Sequence, residues 1–142
     1  MTKEEIISKL PYSKPFLFVD ELLHIDENGI EGTYTFDENL DFYKGHFRDN
    51  PITPGVILTE VMAQIGVVCL GIYLLNDTFN TSIAIALTSN EIEFLKPVFP
   101  NEKVTVISEK LYFRFGKLKC RVLMKNEKGE VVCSGTIAGM IV

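Results

Sequence analysis

The run Gly45-His46-Phe47-Arg48-Asp49-Asn50-Pro51-Ile52-Thr53-Pro54-Gly55-Val56-Ile57-Leu58-Thr59-Glu60-Val61-Met62-Ala63-Gln64 decides how this chain folds. It passes from a polar loop into an apolar segment across one proline and one glycine. Pro54 suits the first position of a helix, Thr53 suits the cap before it, and Gly55 follows at once. From there residues 56–75 are mostly apolar on nearly every helical face, as in a helix enclosed by other protein. The segment is long enough for a bilayer core. Glu60 and Gln64 inside it argue against a membrane span, because a mid-span carboxylate is expensive.

Upstream, residues 16–25 and 30–36 flank Asp26-Glu27-Asn28-Gly29. An Asn-Gly between two such runs predicts a hairpin, since both residues tolerate positive φ. Residues 39–54 form a long loop rich in Asp, Asn, Gly and Pro, and loops of that length inside a domain are commonly functional. Downstream, residues 82–95, 103–115, 117–125 and 130–142 read as strands, separated by Pro97-Val98-Phe99-Pro100, Gly116 and Asn126-Glu127-Lys128-Gly129. Connections this short predict antiparallel neighbours. Strands, one buried helix ending near Asn76-Asp77, and more strands give an α+β architecture with the helix on one face of an antiparallel sheet. A chain of 142 residues is expected to form one domain, 1–142, around one core.

A net charge of -5 disfavours nucleic-acid binding, which needs a cationic face. Cys69, Cys120 and Cys133 are an odd set without C-x-x-C spacing, so small buried thiols in a reducing cytoplasm are expected. The opening MTKEEIISKLPYSK has no apolar signal-peptide stretch. Two separated histidines and unclustered cysteines give no metal site, and no phosphate-binding glycine motif points to a cofactor.

Few residues remain that could do chemistry. His24 lies within a strand and reads as structural or solvent-facing. His46, in the long loop, is flanked by Phe42, Tyr43 and Phe47, which shield it in a setting where a neutral imidazole accepts a proton. An exposed loop histidine is the competing reading. Glu60 interrupts an apolar helix, so it either reaches solvent at a rim or is held protonated as a proton donor. Gln64, at i+4, shares its face and is placed to hydrogen-bond it. The Gly55 N–H at the helix start has no intrahelical partner and lies at the positive end of the macrodipole, an anion site for a developing oxyanion. A glycine that only eases the chain into the helix would explain the same residue. Gly55, Phe47 and Gln64 are therefore the candidate oxyanion and substrate-binding positions.

The Gly45-His46-Phe47 run and the ungapped Pro51 to Gln64 run resemble the β-hydroxyacyl-acyl-carrier-protein dehydratases of the FabZ type. There the pattern is roughly G-H-F-P-G-x-P-x-x-P-G-V-x-x-x-E-A-M-A-Q. Leu10-Pro11 with Pro15-Phe16-Leu17-Phe18-Val19-Asp20, and Phe94-Leu95-Lys96-Pro97-Val98 with Pro100, extend the likeness over nearly the whole chain. The resemblance implies a hotdog fold, a curved antiparallel sheet wrapped around one long central helix. It also implies dehydration of 3-hydroxyacyl thioesters carried on the phosphopantetheine of acyl carrier protein, or on coenzyme A, without a resident cofactor. His46 would abstract the C2 proton, Glu60 would protonate the departing C3 hydroxyl, and the Gly55 N–H would hold the thioester oxygen. Homodimers, often three to a hexamer, would build each site from the histidine of one subunit and the glutamate of the other.

The chain departs from the pattern at Arg48-Asp49-Asn50, Pro11-Tyr12-Ser13 and Pro100-Asn101-Glu102; the resemblance implies that these loops would shape the entrance and receive the carrier, while the reacting positions match. A hotdog thioesterase and a noncatalytic acyl-binding partner subunit are the alternative readings. Lys117, Lys119 and Arg121 alternate along one strand and share a face. That stripe is either a dock for an acidic carrier or the ordinary solvated face of a sheet.

Overall fold

The structure is a computed structural model that describes residues 1–78 and 84–142. Six strands form one antiparallel sheet: β1 Glu21–Asp26, β2 Gly29–Thr35, β3 Ile85–Phe94, β4 Lys103–Arg114, β5 Lys117–Lys125 and β6 Val131–Ile141. A short helix, α1 (Lys3–Ser8), precedes them, and the long helix α2 (Gly55–Leu75) lies between β2 and β3 in the chain. The spatial order is β1-β2-β4-β5-β6-β3. The middle of α2 packs against β2, β4, β5 and β6, so the sheet wraps the helix as the hotdog fold requires.

Alternation explains the strands. In β5, Leu118, Cys120, Val122 and Met124 are buried, and the residues between them face outward. On the helix, Val61, Met62, Ile65, Leu70 and Ile72 are buried, which accounts for its apolar character without a membrane. All three cysteines are free and buried. Burial pushes the Cys120 thiol up to about 11 and the Cys133 thiol up to about 12, as expected for inert core groups.

The helix is not uniform. Gly55–Ala63 and Leu70–Leu75 are α-helical, whereas Gln64–Cys69 widens into a π-helical turn. There the Ser108 hydroxyl of β4 donates to the Gly66 carbonyl at 2.8 Å. Nothing in the apolar pattern signals this turn.

Four sequence expectations are corrected. First, Thr53 does not cap α2. Pro54 occupies the cap, while the Thr53 hydroxyl sits 2.6 Å from the Tyr43 hydroxyl in a buried pair. Second, the first hairpin turns at Glu27-Asn28, held by the Asp26 carboxylate, which accepts from the N–H groups of Asn28 and Gly29 at 2.8 and 3.1 Å. Neither Asn28 nor Gly29 has positive φ; an Asx turn replaces the expected geometry. Third, residues 16–20 lie outside the strand expected there, since part of that backbone bonds to Gln64. Fourth, the short Pro97–Pro100 connection does not join sheet neighbours: β5 and β6 lie between β3 and β4. Segment 95–102 instead crosses the end of the sheet, with Val98 accepting from Thr53 N–H at 2.8 Å and Glu102 accepting from Phe36 N–H at 3.0 Å. Of the strand expected at 82–95, residues 82 and 83 lie outside the described residues.

Candidate active site

The loop before α2 carries His46. Its backbone carbonyl accepts from Ile52 N–H at 2.9 Å, and its Nδ1 lies 2.8 Å from the Ile52 carbonyl. A carbonyl oxygen only accepts, so Nδ1 carries the hydrogen and the neutral ring keeps its Nε2 lone pair free. The ring stacks on Phe47 with centroids 3.9 Å apart and planes 27° apart, across a cis peptide. Phe47 itself is 53% exposed, so it presents an open aromatic face beside the imidazole. His24, by contrast, pairs with Asp26 at 2.9 Å on the exposed face of β1.

Glu60 is half-buried on α2, and burial pushes its carboxyl above the ordinary glutamate value, partly opposed by a hydrogen bond from Gln64. Gln64 is wholly buried. Its Nε2 donates to Glu60 Oε2 at 2.9 Å and to the Phe16 carbonyl at 3.0 Å, and its Oε1 accepts from Phe18 N–H at 2.9 Å. Both amide hydrogens are spent, and the side chain has no exposed surface. Gln64 therefore holds Glu60 from within the core, as its i+4 position leads one to expect, and in the single chain it presents no surface of its own. The Phe16–Phe18 strap that completes the bridge is invisible to helical spacing.

Gly55 is the first helical residue, and no side chain of the described residues caps the helix. The first intrahelical bond is donated by Ile57 to Pro54, which leaves the N–H groups of Gly55 and Val56 ahead of it. A Cβ at Gly55 would lie 3.2 Å from the Phe94 ring, so the start of the helix lies beside an aromatic side chain. Gly55, Thr53 and Leu58 form one side of an open groove of about 430 Å³, with Phe94, Lys96 and Pro97 opposite. Glu60 lines a different, smaller cavity of about 60 Å³ together with Tyr12 and Leu87. No described cavity is lined by both His46 and Glu60.

Tyr12 was not anticipated as a site residue. Burial, and after it the Glu60 charge, push its phenol up to about 12, so it stays neutral beside the carboxyl. Its signal in the sequence was only the departure from the family pattern at Pro11-Tyr12-Ser13. Lys117, Lys119 and Arg121 do share the outer face of β5, and Arg121 reaches Glu109 at 3.8 Å. Among the described residues no three of His, Cys, Asp or Glu gather where they could hold a metal.

With that geometry in view, a family model described as FabA-like domain matches residues 10–138. The chain is 31% identical over 137 residues to the 3-hydroxyacyl-[acyl-carrier-protein] dehydratase FabZ of Caldicellulosiruptor bescii, covering 94% of each chain. It is 33% identical over 146 residues to the same-named protein of Herpetosiphon aurantiacus, covering 100% of this chain and 99% of the other. Among solved structures it is similar to the dehydratase heterocomplex ApeI:P from Xenorhabdus doucetiae, with a TM-score of 0.79, 12% identity, and coverage of 99% and 91%. It is also similar to a thioesterase from Pseudomonas aeruginosa, with a TM-score of 0.70, 12% identity, and coverage of 100% and 94%. At such identities the two structures speak for the fold alone.

Proposed function

The chain belongs to the FabA-like domain family, and on that premise we propose that it is a 3-hydroxyacyl-[acyl-carrier-protein] dehydratase. It removes water from 3-hydroxyacyl thioesters to give trans-2-enoyl thioesters, as in fatty-acid synthesis. Full-length similarity to FabZ proteins supports this reading over the thioesterase alternative. The observation that carries the mechanism is Glu60, a carboxyl set into an apolar helix, raised by burial and held by Gln64.

In the proposed mechanism His46 Nε2 takes the C2 proton and the C2–C3 double bond forms as the C3–O bond breaks. Glu60 gives its proton to the departing hydroxyl, which leaves as water. The thioester oxygen gathers negative charge as the C2 proton departs, and the free N–H at Gly55 is placed to bind it. Phe47 supplies an apolar face beside the base. These steps draw only on the chain's own groups, with the substrate's phosphopantetheine as its handle and coenzyme A as an alternative carrier.

A homodimer completes the proposal. Among the described residues, His46 and Glu60 share no described cavity of the single chain. β3 is an edge strand whose outer side is unpaired and exposed along most of its length. Val56 (76% exposed), Leu87 and Phe94 add apolar surface to that side, the signature of an interface covered by a second copy. The buried reduced thiols fit a cytoplasmic setting.

The test supplies an enoyl thioester on carrier protein and on coenzyme A while following loss of the conjugated double bond and release of free thiol. Hydration without thiol release is expected, and both His46→Ala and Glu60→Gln should lower it by at least about a hundredfold with the fold retained. Thiol release would establish a thioesterase instead. Acyl binding without turnover would establish a noncatalytic subunit, and near-normal turnover in either variant would overturn the assigned roles.

A further inference from the structure

The small cavity beside Glu60 has a definite direction. Glu60, Ala63, Val67 and Val68 form its helical wall, so it runs from the reacting carboxyl toward the C-terminal end of α2. Val67 and Val68, consecutive residues of the π turn, both line it. Beyond the carboxyl and the Tyr12 phenol, every named side chain on the wall is aliphatic. Such a wall accepts an alkyl chain and rejects water. Its volume of about 60 Å³ holds only on the order of four water-sized groups.

Ile85, the first residue of β3, lines the same cavity. Its Cδ1 would lie 2.5 Å from a Cβ at Gly71, and its Cγ2 would lie 3.0 Å from a Cβ at Gly139. The same Gly139 Cβ would meet Val67 Cγ1 at 3.2 Å. Two glycines, one on the helix and one on β6, thus form a seat that a β-branched side chain fills. Ile is stiff about χ1, so a side chain seated this way does not swing aside for a longer ligand. Gly71 lies three turns along α2 from Glu60, so the seat stands at the end remote from the chemistry.

We propose that Ile85, seated between Gly71 and Gly139, is the stop of the acyl pocket and sets the length of acyl chain that the enzyme turns over. The inference rests on the dehydratase reading, which places the reacting carbons at Glu60 and leaves this cavity for the alkyl tail. Each methylene that finds room is worth about fourfold in binding. Shortening Ile85 frees the space of its branched side chain.

The experiment measures kcat/KM for hydration of a series from crotonyl to dodecenoyl thioesters, with the wild type, Ile85→Val and Ile85→Ala, each checked for folding by its thermal transition. The wild type should favour the short end of the series. Ile85→Ala should move the optimum to longer chains, with at least about a tenfold gain over the wild type in the long-to-short ratio, and Ile85→Val should fall between. Ile85→Val, a loss of one methyl group, carries the test if Ile85→Ala does not fold. Folded, active variants with an unchanged profile would overturn the inference and leave the dehydratase reading standing. Absence of hydration by the wild type at every length would overturn both.

Discussion

At Glu60 the protein holds a carboxyl group where ionisation is resisted, and this has a consequence for stability separate from catalysis. The folded-state pKa lies above that of the unfolded chain, so the folded protein binds this proton more tightly. Below the unfolded value both states are protonated and the associated stability is fully present; it is lost as pH rises through the folded value. Glu60→Gln removes the titration yet keeps an oxygen that can accept from Gln64. Thermal unfolding should therefore show the variant more stable than wild type at about pH 8, with the difference shrinking toward about pH 4. A gap independent of pH would assign the effect to packing instead. Glu60 and His46 were legible in the sequence because each breaks its surroundings, one as a charge in an apolar helix and one as an imidazole in a turn-rich loop. Gln64 was legible only as the i+4 neighbour of Glu60. Its bonds to Phe16 and Phe18 cross 48 and 46 positions, and no local spacing encodes them. Thr53 was misread for a similar reason, since its hydroxyl meets Tyr43 rather than the helix it precedes.

Elements were readable where one face is buried. β4 and β5 show the alternation directly, and their hairpin turns at Phe115-Gly116, both at positive φ (53° and 73°). The π turn of α2 escaped notice because apolar residues surround it on all sides. The crossing of segment 95–102 escaped for a different reason: short loops favour hairpins on average, but this one is tied to Thr53 and Phe36, in parts of the chain distant in sequence. On β5 the outward residues carry a testable consequence. Register places Lys119 opposite Tyr112 and Lys117 opposite Arg114, whose guanidinium lies 4.4 Å from the Tyr112 ring. Arg121 is engaged with Glu109, an exposed pair worth roughly 0–1 kcal/mol. Lys117 and Lys119 make no ion pair among the described residues, so they are the free positive charges of the stripe. Reversing both, Lys117→Glu with Lys119→Glu, should raise KM for a carrier-linked substrate by about threefold to tenfold at low salt, with little change for the coenzyme A thioester. An equal effect on the two substrates would remove the stripe from carrier docking.

For the whole molecule, the decisive question is whether one chain or two make the active centre. Gly55 and Glu60 are five residues apart on a helix, about 140° around its axis, so they face different directions. The free edge of β3 and the apolar side chains beside it lie where a second copy can cover them. A symmetric dimer uses the same patch twice, giving two equivalent sites. If each takes His46 from one subunit and Glu60 from the other, two inactive proteins can restore each other. His46→Ala and Glu60→Gln, denatured together in equal amounts and refolded, should form mixed dimers in which one site lacks both groups and the other has both. Random pairing puts about half of the chains in mixed dimers, so the mixture should recover about a quarter of wild-type hydration. Each variant refolded alone should stay inactive. If both groups came from one chain, every site in the mixture would lack one of them. No activity would then return, even though mixed dimers could be detected by a tag on one variant.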